Sequence, residues 1–418
     1  MLSILVATLM TAAPANVHTP GNEGRDFVTL LSQAKWSQAE SMLDATMSGA
    51  LAGGKLEGLW AQLTAKLGAF QKIERVDVDE VQGHRRDTVI CTFANERAGL
   101  RVVVDKQGKV AGFFVVPPTD APASDSTWKS APYVDSAMFT QSEITVGAEK
   151  LHGALVVPKG VAHFPIVVML AGSGPSDMDE SVQGIKVFRD IAEGLATHGI
   201  ASLRFEKRTH RHMHVTTVKE EYLDDAAAAI EQAAAVPGVT KLVLLGHSLG
   251  AAMAPRVAQT NAKVAGLILL AGPTWPYAKA IVAQAEYQKK LGYGGPDIDQ
   301  RLEELRAEAK QIDDPALKPE TPVGKHGATG AYFLDLRTYD PVATVGKLKL
   351  PVFLGWGDRD LLVIPDDWAG WKAKLGERPN LTYRTYAGLQ HLFTPVGTDQ
   401  VEHVSKDVVD DLAAWTTK

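Results

Sequence analysis

Gly246-His-Ser-Leu-Gly250 sets a serine between two glycines, each two positions away. That spacing suits a very tight strand-to-helix turn, where small neighbours leave room for the chain and the serine hydroxyl stands free at the strand's end. The flanks fit this geometry. Residues 241–245 form an apolar, strand-like run, and 249–260, with Gly250, Ala251, Ala252 and Ala254, read as a small-residue helix. Ser248 is therefore the expected nucleophile. A structural Gly-Ser turn is the alternative, and the strand–serine–helix context argues against it. A serine hydroxyl is a weak nucleophile at neutral pH and needs a histidine base oriented by a carboxylate.

For a serine on such a turn, the acid and then the histidine follow in chain order, at the carboxyl ends of later strands. Three histidines come after Ser248: His326, His391 and His403. His326 falls in a helical insertion. His403 falls in an amphipathic C-terminal helix with Val401, Val404, Val408, Leu412 and Trp415 along one side. His391 follows the strand-like run 381–386, in the loop before that helix, and is the expected base. His247 adjoins Ser248 in sequence but points elsewhere on so tight a turn, and reads as structural. The acid belongs in Gly355-Trp-Gly-Asp-Arg-Asp-Leu-Leu-Val363. Asp360, far enough past the strand to reach His391, is favoured. Asp358, at the strand end beside Arg359, is the competing choice.

Acyl transfer also needs two backbone N–H donors for the oxyanion. Leu249, directly after the nucleophile, supplies one. The other comes from Ala171-Gly-Ser-Gly-Pro-Ser-Asp177, where Ser173 holds the donor position and Gly172 allows close approach to substrate. The Gly172-Ser-Gly174 spacing matches neither glycine pattern that cradles nucleotide phosphates. The run His210-Arg-His-Met-His214 invites a metal reading, but no nearby Asp, Glu or Cys completes a ligand set, so His210, His212 and His214 read as a polar surface loop. Cys91 is the sole cysteine, in the alternating run 87–93, and reads as a small buried side chain.

These residues need a scaffold. Residues 142–159 look like an antiparallel hairpin. Short apolar runs then follow at 165–171, 200–205, 241–245, 264–271, 351–356 and 381–386, separated by amphipathic segments. Such runs indicate strands buried on both faces, hence an α/β fold with a doubly wound, mostly parallel sheet. Residues 273–336 interrupt the rhythm without a strand-like run and read as a helical cap over the serine. Trp275 and Tyr332 in it are candidates for contact with substrate.

Before this lies a different texture. Phe27, Leu30 and Leu31, then Leu56, Leu59, Trp60, Leu63 and Leu67, recur at helical spacing and predict two helices. Alternating segments near 71–82, 87–95, 99–105 and 109–117 follow, with a hairpin turn at 105–108. The expected divisions are a small α+β domain over 25–117, a linker over 118–136 rich in Pro, Ser and Asp, and the main domain over 137–418. Residues 1–15 form a short apolar run ending in Ala13-Pro-Ala15, the pattern of a signal peptide, so export to the periplasm or medium is expected. The run is too short for a membrane-spanning helix. The 418 residues are 45% hydrophobic and 22% charged with a net charge of −6. No basic stripe runs along a helix, which argues against nucleic acid or anionic membrane as partner. Nothing in this pattern sets an oligomeric state.

Residues from about 137 onward resemble the α/β-hydrolase superfamily. The whole chain resembles bacterial carboxylesterases with a small α+β domain ahead of the hydrolase domain. The resemblance is carried by Gly172-Ser-Gly-Pro-x-Asp177, Phe188-Arg-Asp-Ile-Ala-Glu-Gly-Leu195, Gly246-His-Ser-Leu-Gly250, Gly357-x-x-Asp360 and Gln390-His-Leu-Phe393. It implies a Ser248/Asp360/His391 triad, no metal or cofactor, and a small-molecule substrate, a short- to medium-chain carboxylic ester. A thioesterase or serine peptidase would use the same triad. A binding protein on a degenerate hydrolase scaffold would not need the intact set.

Overall fold

The computed structural model describes residues 23–418 apart from 52, 82–83, 117–128, 183, 212–214, 216, 275, 294, 296–297, 325–327 and 397–402. The expected signal peptide, most of the expected linker, Trp275, His212, His214 and His326 therefore lie outside the described residues. The chain divides into two compact units between Trp128 and Lys129.

Among its described residues the first unit carries four helices, α1 (Glu23–Ser32), α2 (Trp36–Ser41), α3 (Ala45–Leu51) and α4 (Lys55–Leu67), where periodicity predicts two. The chain breaks after α1 at Ala34, whose φ is 54°, and before α4 at Gly53 and Gly54, whose φ values of 72° and 83° suit glycine. Side-chain periodicity does not report such local backbone reversals. An antiparallel meander follows: β1 (Phe70–Val81), β2 (His84–Phe93), β3 (Arg97–Val104) and β4 (Val110–Val116). The β3–β4 turn is closed by Asp105 Oδ1, which accepts from the N–H groups of Gln107 and Lys109 at 2.8 Å each. One core joins Phe27 and Leu31 of α1 and Leu56, Trp60 and Leu63 of α4 to the sheet.

The second unit opens with the hairpin β5 (Phe139–Val146) and β6 (Leu151–Pro158), then β7 (Phe164–Leu170). A two-residue hairpin, β8 (Ser181–Val182) with β9 (Ile185–Lys186), leads into α5 (Val187–Thr197) and β10 (Ala201–Phe205). A π-helical turn over Lys219–Asp224 runs into α6 (Asp225–Ala234). Next come β11 (Val239–His247), α7 (Leu249–Thr260) and β12 (Val264–Leu270). The segment expected as a cap holds α8 (Tyr277–Lys290), α9 (Ile298–Asp313) and α10 (Gly330–Leu336). It also holds a short hairpin, β13 (Pro322–Val323) with β14 (Ala328–Thr329), that its helical composition does not announce. The chain closes with α11 (Pro341–Lys347), β15 (Val352–Gly357), α12 (Pro365–Leu375), β16 (Leu381–Tyr386) and α13 (Lys406–Thr416).

The eight-stranded sheet runs in the order β16-β15-β12-β11-β7-β10-β6-β5. Strands β7, β10, β11, β12, β15 and β16 are parallel, and β6 runs antiparallel to both its neighbours, β10 and β5. Chain order reverses at β7, which has β10 on one side and β11 on the other. The carboxyl ends of β7 and β11 thus flank a crevice of the kind where open α/β sheets bind ligands. His403 corrects an expectation. It precedes α13 instead of lying in it, because Asp190 of α5 accepts from the Val404 N–H at 2.9 Å and takes His403 Nδ1 at 3.0 Å, holding this stretch out of the helix. Among the described residues no helix is long and apolar enough to cross a membrane.

Candidate active site

Ser248 stands between β11 and α7 with φ 53° and ψ −121°, a strained conformation for a residue with a side chain. The neighbouring glycines have steric reasons. A Cβ on Gly246 would lie 2.2 Å from Gly250 O, and one on Gly250 would lie 2.1 Å from Leu170 O. The turn is held by Ser248 N–H donating to Leu270 O at 2.9 Å, while Ser248 O accepts from Ala251 and Ala252 in the first turn of α7. The Leu249 N–H, at the start of this helix, has no acceptor within the helix and sits where the macrodipole is positive.

His391 lies in the loop after β16 and Asp360 in the loop after β15. His391 Nδ1 is 2.8 Å from Asp360 Oδ2, and Asp360 is almost wholly buried. The other oxygen, Oδ1, accepts from the Leu362 and Val363 N–H groups at 2.7 and 2.9 Å. A carboxylate only accepts, so Nδ1 carries the proton and Nε2 is left as the basic nitrogen. Asp358 is exposed and accepts from the Gly388 N–H at 2.7 Å, away from His391.

His247 is buried beside this pair. Its Nε2 is 3.0 Å from the His391 carbonyl, and its ring centroid is 4.7 Å from that of His391. Its Nδ1 is 3.0 Å from Glu180 Oε1, without the alignment of a hydrogen bond. Burial pulls the imidazole pKa down, but the Glu180 carboxylate, joined by the His391 carbonyl and Asp360, holds the group above the ordinary histidine value.

The loop after β7 approaches the serine closely, since a Cβ on Gly172 would stand 3.0 Å from Ser248 Cβ. Ser173 is exposed at its tip. Gly172 was expected to meet substrate, but both its backbone polar groups are committed inside the protein. Its N–H donates to Glu180 Oε1 at 2.6 Å, and its carbonyl accepts from Lys207 Nζ at 2.9 Å and Tyr222 Oη at 2.8 Å. Burial draws the Lys207 ammonium below the usual lysine range, while Glu221 opposes that shift from 2.8 Å. Burial pushes the Tyr222 phenol up. Sequence reading passed over Glu180, Lys207, Glu221 and Tyr222. The available signal was charged residues close behind predicted strands, which is common on any sheet.

The segment expected as a cap packs here. Phe333, Leu336, Ile312 and Ala278 share an apolar cluster with Ala252 and Met253 of α7 and with Tyr222, and Leu249, Tyr277 and Tyr332 pack against it. Tyr332 is half-buried, and its hydroxyl donates to Glu221 Oε2 at 2.5 Å. Gln288 of α8 donates to the Leu361 carbonyl at 3.2 Å, beside Asp360. His210 is exposed, and no group of three or more His, Cys, Asp or Glu able to hold a metal occurs among the described residues.

Fold and constellation define an α/β hydrolase. Residues 182–394 match the family described as serine aminopeptidase, S33, and residues 25–113 match a family described as a protein of unknown function. Over 402 residues the chain is 31% identical to the esterase EstD of Thermotoga maritima, with 94% of each chain covered. The chain belongs to the α/β-hydrolase superfamily, within the S33 family. Among solved structures it is similar to Est1E from Butyrivibrio proteoclasticus, at 17% identity over 66% of this chain and 98% of that one, with a TM-score of 0.44. It is likewise similar to the Pyrococcus furiosus esterase Pf2001, at 18% identity over 70% and 91%, with a TM-score of 0.42.

Proposed function

We propose that this hydrolase is a serine carboxylesterase acting on short- to medium-chain carboxylic esters. Ser248 Oγ attacks the ester carbonyl carbon as His391 Nε2 takes its proton, and Asp360 stabilises the resulting imidazolium. The N–H groups of Ser173 and Leu249 receive the oxyanion. Collapse expels the alcohol, which takes the proton from His391, and water then releases the acid from the acyl-serine by the same steps. The observation that carries this reading is a conjunction: a serine at φ 53° ending β11, and a 2.8 Å His391–Asp360 pair on the loops after two neighbouring strands. Either feature alone has a structural explanation. Together they are the parts of an acyl-transfer site.

Ester over amide chemistry is supported by the name of the Thermotoga maritima relative. The description of the S33 family supports the second reading, an aminopeptidase with the same triad. The signal-like run at 1–15 supports action outside the cytoplasm. The test is labelling with a fluorophosphonate, peptide mapping of the modified serine, and kcat/KM for matched ester, thioester and aminoacyl-amide substrates. Expected is a label on Ser248 alone, an ester preference, and a fall of at least ~10³-fold in turnover for Ser248→Ala. Label elsewhere overturns the nucleophile, and preference for the amide overturns the esterase.

A further inference from the structure

Gly172 is gripped by side chains that have no part in the proton transfers above. A lysine ammonium has three protons. Those of Lys207 have three acceptors: Gly172 O at 2.9 Å, Tyr222 Oη at 2.9 Å and Glu221 Oε1 at 2.8 Å. The single Tyr222 hydroxyl proton goes to the same Gly172 oxygen at 2.8 Å. Glu221 also accepts from Thr209 Oγ1 at 3.3 Å and from Tyr332 Oη at 2.5 Å. Lys207, Glu221 and Tyr222 are only 4%, 7% and 3% exposed.

A buried ion pair is a weak device for stability, because desolvating both charges offsets most of their attraction. What this one holds is informative. Both donors converge on one carbonyl in a loop where Gly172 and Gly174 leave the backbone free to rotate. The Gly172–Ser173 peptide is trans and planar, so the Gly172 carbonyl and the Ser173 N–H point in opposite directions. Fixing the carbonyl toward Lys207 and Tyr222 fixes the Ser173 N–H on the opposite side of the same plane. With the carbonyl released, rotation of this peptide removes the donor and can present a carbonyl dipole of the wrong sign to a developing oxyanion.

We propose that Lys207 and Tyr222 are positioning residues that aim the Ser173 N–H at the oxyanion, and that Glu221 and Tyr332 tie this aim to the cap. This rests on the reading of Ser248 as nucleophile and Ser173 as oxyanion donor. Tyr332 thereby acts on the peptide plane through Glu221 and Lys207, not as a wall of the substrate pocket. Lys207, a charged donor, and Tyr222, a neutral one, touch the Gly172 carbonyl directly, whereas Tyr332 reaches it only through Glu221 and Lys207, so its effect is the smallest.

The experiment compares Lys207→Met, Tyr222→Phe and Tyr332→Phe in the full chain. For each it measures kcat and KM on one ester, the melting temperature, and affinity for an alkyl boronic acid, which forms a tetrahedral adduct on serine. Expected losses in kcat are ~10²-fold, ~10-fold and ~3-fold in that order, bounded by the 10²–10³-fold typical of deleting an oxyanion donor. KM should move less than about threefold, and boronate affinity should fall by the same factor as kcat/KM. A merely structural role would lower the melting temperature without that proportionality. Should Lys207→Met not fold, the two tyrosine variants decide. Folded tyrosine variants with kcat within twofold of the parent, or kcat losses with unchanged boronate affinity, overturn the proposal. Ester hydrolysis surviving in Ser248→Ala would instead remove the reading beneath it.

Discussion

The two units bury charge to different ends. In the first, Asp87 is the central buried carboxylate. It accepts from the Gly24 N–H at 2.8 Å and from Arg85 at 2.7 and 2.6 Å, and Arg85 reaches Glu23 at 2.6 Å. This fastens the start of α1 to β2, with each partner answering a structural need. In the second, Lys207, Asp360 and His391 follow β10, β15 and β16, and His247 ends β11. Glu180 joins them from the loop after β7. All sit at the carboxyl ends of parallel strands, on loops that converge around Ser248. Buried charge is therefore not by itself the mark of a site. Its placement at the strand ends beside a topological switch is.

The largest test of this contrast lies within one loop. Asp360→Asn should lower kcat by ~10³–10⁴-fold, because the histidine loses the carboxylate that fixes its tautomer. Asp358→Asn should stay within about tenfold of the parent, since that exposed carboxylate serves the Gly388 N–H. Steady-state kinetics on both variants decide, and the reverse ranking would break the assignment of Asp360.

Cys91 probes the inert side of the comparison. Burial disfavours the thiolate and pushes its pKa up to about 12. Below that value the thiolate fraction falls tenfold per pH unit, so native alkylation at pH 8 should run ~10³-fold slower than for an ordinary thiol near 8.5. Its rate should keep rising up to about pH 12, where a free thiol has already levelled off. Mass spectrometry after iodoacetamide, with and without urea, measures this. Rapid native modification would give the first unit a reactive group and blur the contrast.

The smallest effect concerns the cap. The Tyr277 ring lies 5.3 Å from Phe333 and packs in the cluster that includes Ala252 and Met253, just beyond Ser248. Tyr277→Ala should change the ratio of kcat/KM between short and longer acyl esters by ~3–30-fold, the scale of one to a few methylenes in an apolar pocket. An unchanged ratio in a folded variant would make the cap a cover with no hold on specificity.

Local rules account for what could be read in advance. The apolar run, the paired glycines and the small-residue helix around Ser248 are contiguous, and backbone sterics at a single turn explain them. The parallel sheet showed in unbroken apolar runs, and the 105–108 turn in its Asp and Gly. Where a reading depended on side-chain period alone it was coarser. Two helices became four because Ala34, Gly53 and Gly54 reverse the backbone without disturbing the apolar pattern. His403 left the C-terminal helix because Asp190, more than two hundred positions away, claims it.

Sequence alone thus determined the turn that carries Ser248, the class of sheet and the two acidic candidates, since each depends on neighbours within a few residues. Tertiary structure decided which acid faces His391, because the Leu362 and Val363 N–H groups take one Asp360 oxygen and leave the other for the imidazole. It also decided that Lys207 and Tyr222, 35 and 50 positions from Gly172, meet on its carbonyl. That meeting follows from the strand order, which sets β7 between β10 and β11 and so brings their loops together. No local pattern encodes it, because polar pairing at strand ends depends on which strands become neighbours and not on their own sequences.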